Sequence, residues 1–154
     1  MLFVLVLVLI TLGSFFVYGF RELPLPSPQS IPEKLSIGNR IYHLETDIWR
    51  DFQPSTDPLE GIIVFITVIA NNSQKLPPSI KLNYLWIINN EETWPTRFSE
   101  QKCLVEEENT LAKIARNGPF WTPGSLVDVI VQLMVNYHET YLLKALNQTI
   151  GVTF

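Results

Sequence analysis

The chain has 154 residues, 47% of them hydrophobic, with eleven Lys/Arg against fifteen Asp/Glu and a formal net charge of −4. The cations are scattered singly, which excludes the grouped positive charge that counterion release needs, so no nucleic-acid partner is expected, nor adhesion to anionic lipid through a basic patch. Cys103 is the single cysteine, so no internal disulfide can form, and a domain of this length is expected to be held by its core alone.

Residues 1–20 carry no charged side chain, and Leu, Ile, Val and Phe fill fourteen of the twenty positions. A helix of about nineteen such residues is roughly 28 Å long, close to the roughly 30 Å hydrocarbon core of a bilayer. Each central Leu, Ile, Val or Phe favours insertion by roughly 0.3 to 0.6 kcal/mol. One N-terminal hydrophobic helix is therefore expected, serving as a membrane anchor or a signal peptide. The terminal amine is the only positive charge ahead of the run, and Val17-Tyr18-Gly19 is a poor cleavage site. The run also exceeds the usual apolar region of a signal, about 7–15 residues, and these features favour the anchor. Arg21 is followed at once by Glu22, so the positive-inside bias is small. A strand-rich domain suits the extracytoplasmic side, and the expected location is there, membrane-anchored or secreted.

Residues 21–38 read as a linker. Pro24, Pro26, Pro28 and Pro32 forbid a helix and favour an extended, polyproline-like tether. From residue 39 to 154 the chain reads as strands. Residues 40–46 alternate, with Tyr42 and Leu44 on one face. Residues 61–70 are apolar and β-branched, the pattern of a central strand, and end in Asn71-Asn72-Ser73, a turn signal. Residues 80–88 alternate and are expected to put Leu82, Tyr84, Trp86 and Ile88 on one face, before the turn at Asn89-Asn90. Residues 93–98 contain Pro95 and read as an edge strand. Residues 110–115 are a further strand, with a short helix over 106–115 as the alternative. Residues 125–134 alternate with Val127, Val129, Val131 and Leu133 together and Asp128 on the opposite face with Leu126, Ile130 and Gln132. After a turn at 135–138, strands are expected over 140–145 and 149–154.

Seven or eight strands without a long amphipathic helix predict an all-β fold, an antiparallel β-sandwich of immunoglobulin-like type. Trp86, in the middle of a strand, matches the buried tryptophan of such folds, without the disulfide that usually accompanies it.

The candidate binding residues lie on two segments and one strand. In Arg50-Asp51-Phe52-Gln53-Pro54, Asp51 can orient Arg50 toward a ligand carboxylate, or the pair can clamp a loop. In Gly118-Pro119-Phe120-Trp121-Thr122-Pro123-Gly124, two glycines and two prolines stiffen a loop that carries two aromatic rings. Such rings stack on sugars or anchor partners, or else plug one end of the domain. Trp94 joins Arg50, Asp51, Phe120 and Trp121 as a tentative binding set. Trp86, Gly118, Pro119, Gly124 and Asp128 are read as structural.

Metal and nucleophile chemistry is not expected. His43 and His138 are the only histidines and have no ligand spacing. Cys103 precedes Glu106-Glu107-Glu108, which opposes a thiolate, and that acidic run lacks the spacing of a calcium loop. No nucleophile-elbow motif occurs. Asn71-Asn72-Ser73 and Asn147-Gln148-Thr149 match the glycosylation pattern, which matters only in a eukaryotic secretory pathway. No cofactor is expected.

Arg50-Asp51-Phe52 with Pro54, Trp94, Gly118-Pro119 with Trp121 and Gly124, Val127-Asp128-Val129, and Leu142-Leu143 with Gln148 and Ile150 resemble a family of uncharacterised exported bacterial proteins. The resemblance covers roughly residues 40–150, and Gln53 departs from the Met expected there. It implies an export segment and one compact β-rich domain, and no catalytic role at any position.

The reading that follows is a non-enzymatic binding or interaction module of the bacterial envelope, whose ligand is a glycan or another envelope protein. One alternative is an envelope hydrolase using Asp51 and Asp128, which requires carboxylates roughly 5–10 Å apart in a cleft. The other is a structural subunit that pairs through an exposed edge at residues 93–98.

Overall fold

The computed structural model describes residues 25, 27–52, 61–71, 75–98 and 108–153. The hydrophobic run at 1–20 lies outside them. Among the described residues no helix is long and apolar enough to cross a membrane. The expected all-β class holds. Among the described residues eight strands follow one 3-10 turn at Pro28–Ser30: β1 (Lys34–Ile37), β2 (Arg40–Asp51), β3 (Ile63–Ala70), β4 (Ile80–Asn89), β5 (Glu92–Arg97), β6 (Thr110–Ala115), β7 (Leu126–Val135) and β8 (Glu139–Thr153). The residues around 110 are strand, so the helical alternative fails there.

The strands form one curled sheet in the order β5-β4-β7-β8-β2-β3-β6, with β1 also on β2. Every pairing is antiparallel except one. The end of β8 lies parallel to the end of β2, from Ile48 opposite Ile150 to Asp51 opposite Thr153. The curl brings the two halves of the sheet face to face over one core. Ile48, Val64, Ile66 and Val68 from one half pack in a cluster with Leu85, Ile87, Val129, Val131 and Leu133 from the other.

β8 makes this possible. The sequence splits it into two short strands, but it is one of fifteen residues. Its first part pairs with β7, and its last four residues leave for β2. A bulge lies just ahead of the handover: the register with β7 shifts between Val127 and Val129, and Gln148 and Thr149 still pair with Val127 and Leu126 before Ile150 joins β2. Asn147 takes the left-handed conformation at the bulge, with φ of 54°, which Asn tolerates better than most residues. Asp128 Oδ1 accepts the Asn147 backbone N–H at 3.0 Å, satisfying a donor that the bulge removes from the ladder. Gln148 ties the same point to β2: its Oε1 accepts from the Thr46 hydroxyl at 2.7 Å, and its Nε2 donates to the Leu146 carbonyl at 2.6 Å.

A second bulge corrects the face assignment of β4. The register with β7 shifts between Leu82 and Tyr84, so the inserted Asn83 reverses the alternation. Leu82, Leu85 and Ile87 face the main core, whereas Tyr84 and Trp86 join Ile130 on the other side of the sheet. Asn83 Nδ2 donates to Gln132 Oε1 at 3.0 Å, giving a partner to the one buried polar side chain among the described residues. Trp86 is buried, as expected, but it stacks on Tyr84 with centroids 5.3 Å apart on the outer face.

That outer face is covered by the segment expected to be a linker, a second correction. Ile31 is buried against Tyr84, Trp86 and Ile130, with Leu25 packed beside them. Lys144 fastens the segment twice. Its backbone N–H donates to the Pro32 carbonyl at 3.0 Å and its Nζ to the Pro28 carbonyl at 2.9 Å. Residues 34–37 then pair with β2 as β1. From residue 27 onward the proline-rich stretch is part of the domain.

Two outcomes follow. Asp128→Ala removes the acceptor of the exposed Asn147 N–H and is expected to destabilise by about 0.5–1.5 kcal/mol, read as a lower urea midpoint at unchanged slope. Tyr42 is 1% exposed, and burial raises its hydroxyl pKa above 10.0, partly countered by Arg40. The unfolded chain then loses this proton first. Stability from Tyr42 is whole below pH 10 and falls as pH climbs toward the raised value. Denaturant midpoints across this range should drop, and Tyr42→Phe should flatten the drop.

Candidate functional site

The chosen residues gather at the end of the domain where β2, β4, β6 and β8 finish and β3, β5 and β7 begin. The loop between β6 and β7 is built into this end by its backbone. Gly118 N–H donates to the Ile62 carbonyl and Ile62 N–H to the Pro119 carbonyl, both at 3.1 Å. Further on, Gly124 N–H donates to the Ile150 carbonyl at 2.8 Å and Ile150 N–H to the Ser125 carbonyl at 3.0 Å. The loop therefore laces the lead-in to β3 to the crossing strand β8. Gly124 sits at φ of 87°, open to Gly without steric cost. Gly118 answers a different need. A Cβ there would collide with Ile62 and lie 2.8 Å from the Trp94 ring, and one on Gly61 would strike the Gly118 carbonyl. The Gly61–Gly118 approach was not legible, because the two glycines are remote in sequence.

Trp121, expected on the ligand-facing rim, is instead 8% exposed and belongs to the main core. Its indole N–H donates to the Glu92 carboxylate at the start of β5, so the buried ring keeps its polar edge satisfied. Trp94 is half-buried and packs on the same core beside Gly118. Both tryptophans plug the end of the curl and are not presented to solvent as rings.

Arg50 and Phe120 are presented. Arg50 lies inside β2 and not in a loop after it. It comes two residues beyond buried Ile48, hence on the same face at the rim of the core. Its guanidinium carbon is 4.9 Å from the Phe52 ring centroid and 5.4 Å from that of Phe120, within cation–π range of both. Phe52 is 46% and Phe120 56% exposed, and Val152, opposite Arg50 in the ladder, 43%. Arg50 Nε is buried without a hydrogen-bond partner, and no described residue forms an ion pair with this guanidinium. Asp51 Oδ1 accepts from the Thr153 hydroxyl at 3.2 Å. Phe52 and Val152 were missed as rim residues, since their role depends on the β2–β8 pairing.

The two carboxylates considered for hydrolysis are held apart. Asp51 is tied to Thr153 and Asp128 to Asn147. These anchors are six residues apart along β8, roughly 20 Å of strand at about 3.3 Å per residue. His43 Nε2 lies 3.6 Å from Glu45 Oε1, with Nδ1 buried and unpartnered, and His138 is in the exposed β7–β8 turn. Among the described residues no three His, Cys, Asp or Glu side chains are grouped to hold a metal. Cys103, Glu106, Glu107, Asn72, Ser73, Gln53 and Pro54 lie outside those residues. Comparison of the chain with protein-family models, curated proteins and solved structures finds no match.

Gly118 and Phe120 separate scaffold from surface. Gly118→Ala forces Ile62 and Trp94 to move and should cost about 1–3 kcal/mol. Phe120→Ala, on an exposed ring, should stay within about 0.5 kcal/mol. Thermal or urea melts of the two variants beside the parent chain check this ordering.

Proposed function

We propose that the chain is a binding or interaction module of the bacterial envelope, held at the membrane by its N-terminal apolar run and built as an immunoglobulin-like β-sandwich. Support for the sandwich comes from the strand order. Taking β2, β3 and β6 as A, B and E, and β4, β5, β7 and β8 as C, C′, F and G, the order C′-C-F-G-A-B-E agrees with that fold, with no counterpart of D among the described residues. The apolar run of residues 1–20 and the resemblance to exported bacterial proteins support the location.

The observation that carries the function is the rim at Arg50. A cation gripped by two exposed rings, on a stiff and well-packed end, is a surface on which binding costs little ordering. Catalysis by paired acids has no support from the positions of Asp51 and Asp128. Pairing through β5 is disfavoured by Pro95, which removes a donor from the middle of that edge.

The test is in-cell photocrosslinking of the full chain, with a photoreactive phenylalanine at position 120 or, at the opposite end of the domain, at position 137. Discrete adducts in the membrane fraction from position 120 alone are expected. Equal adducts from both positions, or an intact product in the cytosol, would overturn the proposal.

A further inference from the structure

We infer that the Arg50 rim is a receptor for the carboxylate of an acidic sugar, a hexuronic acid unit of a glycan. The inference rests on the proposal that this end of the domain is the recognition surface, and it names the chemistry recognised there.

The guanidinium itself sets the ligand's shape. Rings of Phe52 and Phe120 lie against it at 4.9 and 5.4 Å, so what it offers a ligand is its in-plane N–H groups. Of its three nitrogens only Nε is sealed from solvent without a partner, which leaves the two Nη groups as the working edge. Two parallel N–H bonds in one plane match the two oxygens of a carboxylate. Among the described residues none forms an ion pair with this guanidinium, and its Nε donor has no acceptor.

One guanidinium engages one carboxylate at a time, so each uronate unit of a glycan is a separate ligand for it.

The surroundings choose sugar over peptide. Phe120 and Phe52 expose about half of their surface beside the guanidinium, and such rings pack on the apolar C–H face of a pyranose. An extended peptide needs a free backbone ladder. Here the β2–β8 pairing runs to its end, with Phe52 N–H on the Thr153 carbonyl, and the loop's Gly118, Pro119 and Gly124 are already bonded to Ile62 and Ile150.

The experiment is an NMR titration of the full-length chain in mild detergent. The probes are trigalacturonic acid, the neutral galactose trisaccharide, and a tripeptide with a free C-terminal carboxylate. With trigalacturonic acid the Arg50 Nε–H and Phe120 ring resonances should move together and saturate in the millimolar range. The neutral trisaccharide should bind at least about tenfold more weakly, and Arg50→Lys should lose a similar factor against the acid. Phe120→Ala, whose exposed ring is not needed for folding, gives a second variant with the same expected loss.

Equal binding of acid and neutral sugars would overturn the carboxylate assignment while leaving the recognition surface standing. Movement of Arg50 with the peptide and not with the uronate would replace the sugar by a peptide terminus. An Arg50 resonance unmoved by every probe would overturn the inference, and crosslinking from position 120 then judges the broader proposal by itself.

Discussion

The two halves of the sheet are joined through β8, which pairs with β7 as far as Thr149 and with β2 from Ile150 onward. β7 begins at Leu126, opposite Thr149, so the last residues of β8 have no β7 partner and take β2 instead. The parallel pairing of Ile150 through Thr153 with Ile48 through Asp51 is the seam between the two halves. Arg50 and Phe52 are placed by that same seam. Just ahead of it Asp128 on β7 holds the backbone of the left-handed Asn147 on β8. Gln148 adds a second tie across the corner, through Thr46.

β7 is organised around this task. One of its faces is continuous core: Val127, Val129, Val131 and Leu133. Its other face carries Asp128 and Gln132, four residues apart, and each meets a bulge in a neighbouring strand. A bulge strands backbone groups and inserts a residue whose side chain must go somewhere. Asp128 answers the stranded N–H in β8, and Gln132 answers the inserted Asn83 in β4. Between them Ile130 is fully buried under the N-terminal segment. The middle of a strand that reads as half wet is covered on both sides.

The strands were legible because period-two alternation reports local geometry. Gly61 through Ala70 and Ser125 through Met134 needed no tertiary information. What the alternation cannot report is a one-residue insertion. Leu82 and Tyr84 look equivalent in sequence, and Asn83 between them looks like any exposed polar residue. Its pairing with Gln132 decides the register, and Gln132 lies on another strand. The same blindness split β8 in two, because Asn147 resembles a turn. The proline-rich segment failed for a different reason. Prolines exclude helix, but they do not exclude docking. Because proline restricts the unfolded chain, ordering such a segment costs less than ordering an ordinary one. Burial of Ile31, worth about 1.5–3 kcal/mol, and two hydrogen bonds from Lys144 then suffice to hold the strap in place.

Of the five candidate site residues, the two that remain available to a ligand are distinguished by what their neighbours leave unsatisfied. Trp121 has its indole N–H on Glu92, Trp94 is packed on the core, and Asp51 receives the Thr153 hydroxyl. Arg50 has aromatic faces on two sides and no acceptor for a buried N–H. An unsatisfied buried donor costs roughly 1–3 kcal/mol, and a Leu or Met in its place would close the end of the core without that cost. A rim tuned for stability alone would therefore not carry an arginine here. The charge weakens the scaffold at the one end where the backbone is most tightly laced, which is the arrangement expected when a fold gives up local stability to hold a cation in a fixed orientation.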